Sequence, residues 1–256
     1  MRIRSVAAAS LSTALLLGAV VPASAQDDPY QVLTNAVTAT ATATSFHLLA
    51  EANGTLNLGE SMGNVPFPID GTKAEGDVSI NPPALSITFE VPIQGLPISG
   101  GAIVPGDGNA YVKLALPMGS IDDLWHVMAI GPLNVSSVLA SPQPGEDMAA
   151  KLKTSLDQAG AVLTNEGDAS CTAGTCTKLH LEVPASAFDD TVGDLGGMLG
   201  EGSPAPSAAA AAPIPVDILV DNASGRLDSV AVTYADAANG TNISLTVTLS
   251  NYDAPI

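Results

Sequence analysis

The sequence predicts an α+β protein in which antiparallel β-strands dominate and a few helices interrupt them. Period-two alternation is the strongest signal, because in residues 85–91 every odd position is apolar and every even position is polar. Residues 179–183 repeat this pattern, and residues 243–250 repeat it again. Strands of this kind bury one face and expose the other to solvent, which is typical of antiparallel sheets.

Six further segments have strand character. They comprise residues 46–58, 71–80, 110–116, 125–130, 215–221 and 227–235. Residues 221–225 read Asp-Asn-Ala-Ser-Gly, which is the chemistry of a hairpin turn. We therefore expect the two strands that flank this turn to pair with each other.

Three or four helices are predicted to interrupt the strands, and three of them can be located in the sequence. Residues 29–40 and 146–159 each place apolar side chains in one stripe, and Gly160 is the expected end of the second helix. Ser186 caps a third predicted helix, which contains three glycines. Each glycine costs up to about 1 kcal/mol relative to alanine, so this helix is expected to be loose enough to act as a lid.

A low-complexity segment follows the third helix. Residues 200–213 read GEGSPAPSAAAAAP and offer no side chains for a core. Because strands of the same character lie on both sides, we expect a flexible loop within a single domain that spans residues 26–256. A domain boundary at this segment is the alternative.

The first residues of the chain have the pattern of a cleavable secretory signal. Arg2 and Arg4 precede an apolar stretch, and residues 23–25 read Ala-Ser-Ala, the small-x-small pattern of a cleavage site. Residues 1–25 are therefore predicted to be a signal peptide, and the mature chain is predicted to begin at Gln26. We expect a secreted protein, in the extracellular space or the cell envelope.

Composition narrows the classes of partner. The chain has 26 acidic and 8 basic residues, and two basic residues lie in the leader, so the mature chain has 6 basic against 26 acidic residues, a net charge of −20. A field of this sign repels phosphate backbones, which excludes nucleic acid as a partner. Hydrophobic residues make up 46% of the chain, and they require a core, a cavity or a partner interface.

Cys171 and Cys176 are the only cysteines, and a short segment with a glycine separates them. In an oxidising compartment they are predicted to form a disulfide, whose short loop limits its stabilisation to about 2 kcal/mol. A redox pair normally has two intervening residues, whereas four intervene here. A zinc site would need two further ligands, and only His180 is near in sequence.

Residues 59–63 match the G-x-S-x-G pattern of a hydrolase, with Ser61 as the nucleophile. A nucleophile elbow requires a helix directly after the serine, whereas Pro66 and Pro68 follow it here. A glycine-rich hairpin loop explains the match without catalysis. A serine esterase is the remote alternative, and our expectation is a protein with no catalytic residues.

The three histidines, His47, His126 and His180, are too scattered in sequence to indicate a metal cluster. His47 and His180 lie in the polar phase of their strands, which favours a solvated sheet face. The acid pairs at residues 122–123 and 189–190 lack the spacing of a calcium loop. We therefore expect neither a metal site nor a cofactor.

Several segments, taken in order, carry a family resemblance. They are the first helix with the strand that begins Thr44-Ser45-Phe46, the strand that begins Ala110-Tyr111-Val112, Trp125, and residues 216–221, 225–227 and 247–252. In this order they resemble the LppX/LprA/LprF/LprG family of actinobacterial envelope lipoproteins.

The resemblance implies a strongly curved antiparallel β half-barrel of the LolA/LolB kind, covered by a few α-helices, with an apolar cavity between the layers. It also implies non-enzymatic binding and transport of a lipid or acylated glycolipid, with transient contact to a membrane or an envelope transporter. The family's signal normally ends in a lipidated cysteine, whereas Gln26 stands at that place here. We therefore expect a monomeric, unanchored carrier.

The candidates for lining this cavity are alternating apolar residues of the predicted strands. They are Leu85, Ile87, Phe89, Val91, Leu114, Leu116, Trp125, Val127, Leu181, Leu245 and Val247. Trp125, the only tryptophan, is either a core anchor or a wall on which a ligand stacks. If these residues instead form a filled core, the protein is an interaction or assembly module of the cell surface.

Overall fold

The computed structural model describes residues 27–57, 66–80, 82–93, 96–115, 124–129, 148–185, 212–236 and 240–255. The predicted leader, Ser61, Leu116, the body of the helix predicted after Ser186 and residues 200–211 of the predicted loop lie outside these residues. The expectations for these segments, and the assignment of one domain, stay predictions.

Two helices and twelve strands form the described part of the chain. In chain order they are α1 (Pro29–Ala41), β1 (Ser45–Asn57), β2 (Pro66–Pro68), β3 (Thr72–Ser79), β4 (Ala84–Ile93), β5 (Leu96–Val104), β6 (Asn109–Ala115), β7 (His126–Ala129), α2 (Met148–Gln158), β8 (Val162–Cys171), β9 (Gly174–Val183), β10 (Ile214–Asp221), β11 (Leu227–Asp236) and β12 (Thr241–Ser250). Strand residues thus outnumber helical residues, as the alternation predicts.

All twelve strands belong to one antiparallel sheet, in the order β7-β6-β5-β4-β3-β1-β12-β11-β10-β9-β8, with β2 paired to β1 outside this path. Strands β3–β7 form an N-terminal meander, and strands β8–β12 form a C-terminal meander. Strand β1 joins the two meanders, because it pairs with β3 on one side and with β12 on the other. The sheet is open and curved, which confirms the predicted α+β half-barrel.

The strands predicted from character match β1, β3, β6, β7, β10 and β11 to within one residue at each end. The predicted hairpin is present, since β10 and β11 pair across residues 221–225. Strands β2, β5 and β8 were not predicted. In β5, Pro97 and the adjacent Gly100 and Gly101 interrupt the apolar pattern, and in β8 a bulge between Asn165 and Gly167 shifts its phase.

The helix ends follow from local chemistry. The Asp28 carboxylate accepts a hydrogen bond from the Tyr30 N–H at 3.1 Å, and Pro29 follows as the first residue of α1. After α2, Gly160 adopts a φ of +70°, and the Ala161 N–H donates to the Leu156 carbonyl at 2.8 Å. Gly160 therefore ends α2, as predicted.

The buried core lies between the helices and the C-terminal meander. Helix α1 packs against α2 and against β8, β10 and β11. The central cluster consists of Ala36, Leu163, Leu179, Val216, Ile218 and Val220. Within the described residues, neither helix is long and apolar enough to cross a membrane.

The residues after β12 fasten the start of β1. The Asp253 carboxylate accepts a hydrogen bond from the Thr44 N–H at 2.7 Å and pairs with the Arg226 guanidinium, also at 2.7 Å. These two partners hold the pKa of Asp253 below its ordinary value. The Tyr252 hydroxyl donates to the Leu227 carbonyl at 2.5 Å. We call this arrangement the C-terminal clasp.

Candidate functional site: two faces of one sheet

The strand register divides the sheet into an apolar face and a polar face. On the apolar face Phe89 of β4 lies opposite Gly100 of β5, which lies opposite Leu114 of β6. On the polar face Thr88 lies opposite Gly101, which lies opposite Lys113. Because side chains alternate along each strand, these two rows assign the remaining residues of the sheet to one face or the other.

The apolar face is continuous across both meanders. From Phe89 the row of opposite residues passes through Ala74, Ala50, Val247, Val230 and Ile218 to Leu179. Leu179 belongs to the buried core, where α1 and α2 cover the sheet. The face on which the helices lie is therefore the same face that Phe89 occupies in the N-terminal meander.

The predicted cavity residues divide between the two faces. The apolar face carries Leu85, Ile87, Phe89, Val91, Leu114, Leu181, Leu245 and Val247. The polar face carries Trp125 and Val127, because Val127 lies opposite Tyr111, which lies opposite Ile103 and then Ser86. The register therefore places the candidates on two faces of the sheet, so they do not share one lining. The phase of a strand cannot be counted through residues 116–123, so the sequence alone does not assign the face of Trp125.

The apolar face of the N-terminal meander is less buried than the core. In the C-terminal meander Leu181 packs against the core cluster and Leu245 of β12 is 38% exposed, whereas in the N-terminal meander Leu85, Ile87 and Phe89 are half-buried. The principal helix contacts are with β8, β10 and β11, and within the described residues no helix makes comparable contact with β3–β7.

A glycine shapes the apolar face beside Phe89. A Cβ atom placed on Gly100 would lie 2.4 Å from Phe89 Cζ and 2.6 Å from the Lys113 carbonyl oxygen. Since neither distance is compatible with a side chain, glycine is required at this position. The absence of a side chain lets the Phe89 ring occupy the space above Gly100, so that an aromatic surface forms this part of the face.

The polar face of the N-terminal meander holds a cleft of about 600 Å³. Its lining comprises Lys73, Glu75, Thr88, Phe89, Glu90, Ser99, Gly100, Gly101, Lys113, Ala115 and Trp125. Lys73 Nζ and a Glu75 carboxylate oxygen are 2.6 Å apart. This ion pair raises the pKa of Lys73 and lowers the pKa of Glu75, so both groups are charged near neutral pH.

Two histidine–aspartate pairs also lie on the polar face. His47 Nδ1 is 2.9 Å from an Asp77 oxygen, and His180 Nδ1 is 2.6 Å from an Asp217 oxygen. Partial burial opposes ionisation of Asp217, but hydrogen bonds from His180 and Lys178 outweigh it and hold the pKa of Asp217 below its ordinary value. Both histidines lie on the polar face, as their position in the strand alternation predicts. Their aspartate partners are not predicted from the sequence.

The predicted disulfide is confirmed. Cys171 and Cys176 are bonded at the β8–β9 turn, and Cys176 is fully buried. The nearby Asp228 carboxylate, which is 4% exposed, accepts a hydrogen bond from the Ala173 N–H at 3.2 Å. These three side chains are the one group of candidate metal ligands among the described residues, and the two sulfurs are bonded to each other.

No protein-family model matches the chain, and no curated protein matches it. Among solved structures, the chain is similar to the lipoprotein LppX of Mycobacterium tuberculosis, with 18% identity and a TM-score of 0.46 over 89% of this chain and 96% of LppX. It is similar to LprF from Mycobacterium bovis, with 14% identity and a TM-score of 0.46 over 89% of this chain and 94% of LprF. LppX and LprF belong to the family that the sequence resembles.

Proposed function

We propose that this protein binds a lipid or an acylated glycolipid on the apolar face of the N-terminal meander and carries it outside the cytoplasm. The observation that supports the proposal is the difference in cover along one continuous apolar face. In the C-terminal meander two helices contact β8, β10 and β11 on this face, whereas in the N-terminal meander Leu85, Ile87 and Phe89 stay half-buried within the described residues.

The chemistry of this surface suits a hydrocarbon chain. Leu85, Ile87, Phe89 and Val91 follow one another along β4 on this face, and Leu114 lies across Gly100 from Phe89. Transfer of an acyl chain from water to such a surface is worth about 0.8 kcal/mol for each buried methylene group. A strip of several residues along a strand is long enough to contact many methylene groups of one chain.

Two observations support action outside the cytoplasm. The first is the predicted secretory signal over residues 1–25. The second is the Cys171–Cys176 disulfide, since disulfides persist mainly in oxidising compartments. The proposed role is non-enzymatic, and Ser61→Ala is expected to leave lipid binding unchanged.

Native mass spectrometry with organic extraction tests the proposal on protein purified from its own host. We expect a stoichiometric lipid to accompany the wild-type chain and to be lost in Phe89→Glu. The matched control is Ile103→Glu, because Ile103 is 39% exposed and lies on the polar face of the neighbouring strand β5. This control introduces the same charge into the same meander and is expected to retain the lipid.

A second variant separates loss of binding from loss of folding. Leu114→Trp adds volume to the proposed surface without adding charge, and its circular dichroism spectrum reports whether the sheet is intact. Loss of lipid from a folded Leu114→Trp variant would support the proposal. An apo mass for the wild-type chain, with no uptake from a supplied lipid extract, would reject it and favour the interaction module with a filled core.

A further inference from the structure

The cleft on the polar face has a composition that the proposed lipid surface does not explain. Its charged residues and Trp125 lie on the polar face, Phe89 and Gly100 of the apolar face complete the lining, and six of the eleven lining residues are polar or charged. Two lysines and two glutamates, Lys73, Lys113, Glu75 and Glu90, balance one another within it, although the whole chain has a formal net charge of −18. The cleft is therefore locally neutral in a strongly acidic protein.

The only tryptophan of the chain forms one wall of this cleft. Trp125 is 47% exposed, and its Cη2 atom lies 3.3 Å from the position that a Cβ atom on Gly101 would occupy. The indole therefore lies against the bare backbone of β5 and presents the rest of its surface to solvent. A large aromatic side chain that is left half-exposed in a concave polar site is a common feature of ligand recognition.

We propose that this cleft binds a neutral saccharide, with Trp125 stacking against one sugar ring. The C–H groups on the face of a pyranose pack on an aromatic ring, and its hydroxyl groups both donate and accept hydrogen bonds. Glu75 and Glu90 accept such bonds, the lysine ammonium groups donate them, and the hydroxyls of Thr88 and Ser99 do either.

The charge of the cleft selects against ionic ligands. The net negative charge of the protein would repel an anion. A cation would compete with Lys73 for the Glu75 carboxylate, because the Lys73 ammonium group already pairs with it at 2.6 Å. A neutral polyol avoids both costs. The site does not depend on the proposed lipid surface, because Trp125 and the charged residues of the cleft lie on the polar face, and only Phe89 and Gly100 belong to both sites.

Intrinsic fluorescence tests this proposal directly, since Trp125 is the single tryptophan and reports only on this cleft. The probes are free gluco-, manno-, galacto- and arabino-trisaccharides, without acyl chains, added to the wild-type chain at up to about 10 mM, a range that detects weak binding. We expect at least one trisaccharide to shift or quench the emission in a saturable manner. If none does so, the proposal is overturned.

Variants tie the signal to the proposed geometry, and calorimetry measures affinity where the fluorophore is removed. Trp125→Ala is expected to weaken binding about tenfold, equivalent to about 1.4 kcal/mol. Gly101→Ala is expected to weaken it less, because the new methyl group would press on the indole. The control is Glu182→Gln, which changes a polar-face carboxylate that is 56% exposed in the other meander. Equal affinity in wild type and Trp125→Ala would overturn the proposal.

Two arms distinguish a free glycan from the sugar headgroup of a glycolipid. The first compares maltose with dodecyl maltoside below its micellar concentration, and the second repeats both titrations in Ile87→Glu, because Ile87 lies on the apolar face and does not line the cleft. Equal affinities identify the sugar alone as the ligand. A gain from the alkyl chain that Ile87→Glu removes identifies one glycolipid whose alkyl chain contacts the apolar face while its sugar occupies the cleft.

Discussion

The two meanders share an alternating sequence pattern but differ in burial. In β10 of the C-terminal meander, Ile214, Val216, Ile218 and Val220 are each at most 8% exposed. In β4 of the N-terminal meander, the alternating residues that begin at Leu85 are half-buried. The difference follows from α1 and α2, which pack on β8, β10 and β11. Alternation thus decides which face a side chain occupies, and the covering element decides how far it is buried.

The largest effect that sharpens this comparison is expected from matched leucine truncations. Leu179→Ala removes a fully buried side chain and should lower the free energy of unfolding by about 3 kcal/mol, from lost transfer energy and a cavity. Leu85→Ala removes the same atoms from a half-buried position and should cost about 1 kcal/mol. Urea unfolding measures both values. Equal losses would mean that Leu85 is as well covered as Leu179.

Removal of the disulfide is expected to have an intermediate effect that is confined to the C-terminal meander. In the Cys171→Ser/Cys176→Ser double variant the free energy of unfolding should fall by about 2 kcal/mol, because the short cross-link no longer restricts the unfolded chain. Hydrogen exchange should increase at the β8–β9 hairpin and stay unchanged in β4 and β5. Faster exchange throughout both meanders would contradict this separation.

The smallest effect concerns the clasp at the joint between the meanders. The folded state holds the pKa of Asp253 below its ordinary value of 3.8, through hydrogen bonds from Thr44 and then Arg226. The carboxylate therefore stabilises the fold above about pH 3.8, and this contribution disappears as the pH falls through the lower folded-state pKa.

Asp253→Asn should accordingly lower the melting temperature at pH 7 and have little effect at pH 2. Thermal melts across this range measure the difference, with Asp27→Asn, at an exposed carboxyl before α1, as the control. A deficit in Asp253→Asn that is the same at both pH values would show that the charge of Asp253 is not the cause.

Much of the sheet was predictable because alternation within a strand is local information. β4 and β12 could be predicted from their regular patterns, whereas β5 could not, since Gly100 and Gly101 lack the side chains that carry the pattern. Gly100 nevertheless has a function in the fold, because the Phe89 ring occupies the space of its missing Cβ. This contact joins residues of two strands, so the sequence of one strand does not predict it.

The candidate site was only partly predictable for the same reason. The faces that Trp125 and Val127 occupy depend on how β7 pairs with β6, and the sequence of either strand alone does not determine this register. The aspartate partners of His47 and His180 lie in the polar phase of neighbouring strands, at Asp77 and Asp217. The alternation within each strand is enough to place these two aspartates on the polar face. Which histidine each of them contacts depends on the register between neighbouring strands.

The central position of β1 also affects how this chain can fold. Each meander is built from neighbouring strands and can assemble from local contacts, whereas the clasp joins Thr44 to Asp253, 209 residues away in the chain. Such distant contacts pay a larger loop-closure entropy and slow folding. We therefore expect the pairing of β1 with β12, at the centre of the sheet, to form after the strands of each meander have paired and to limit the rate at which the whole sheet forms.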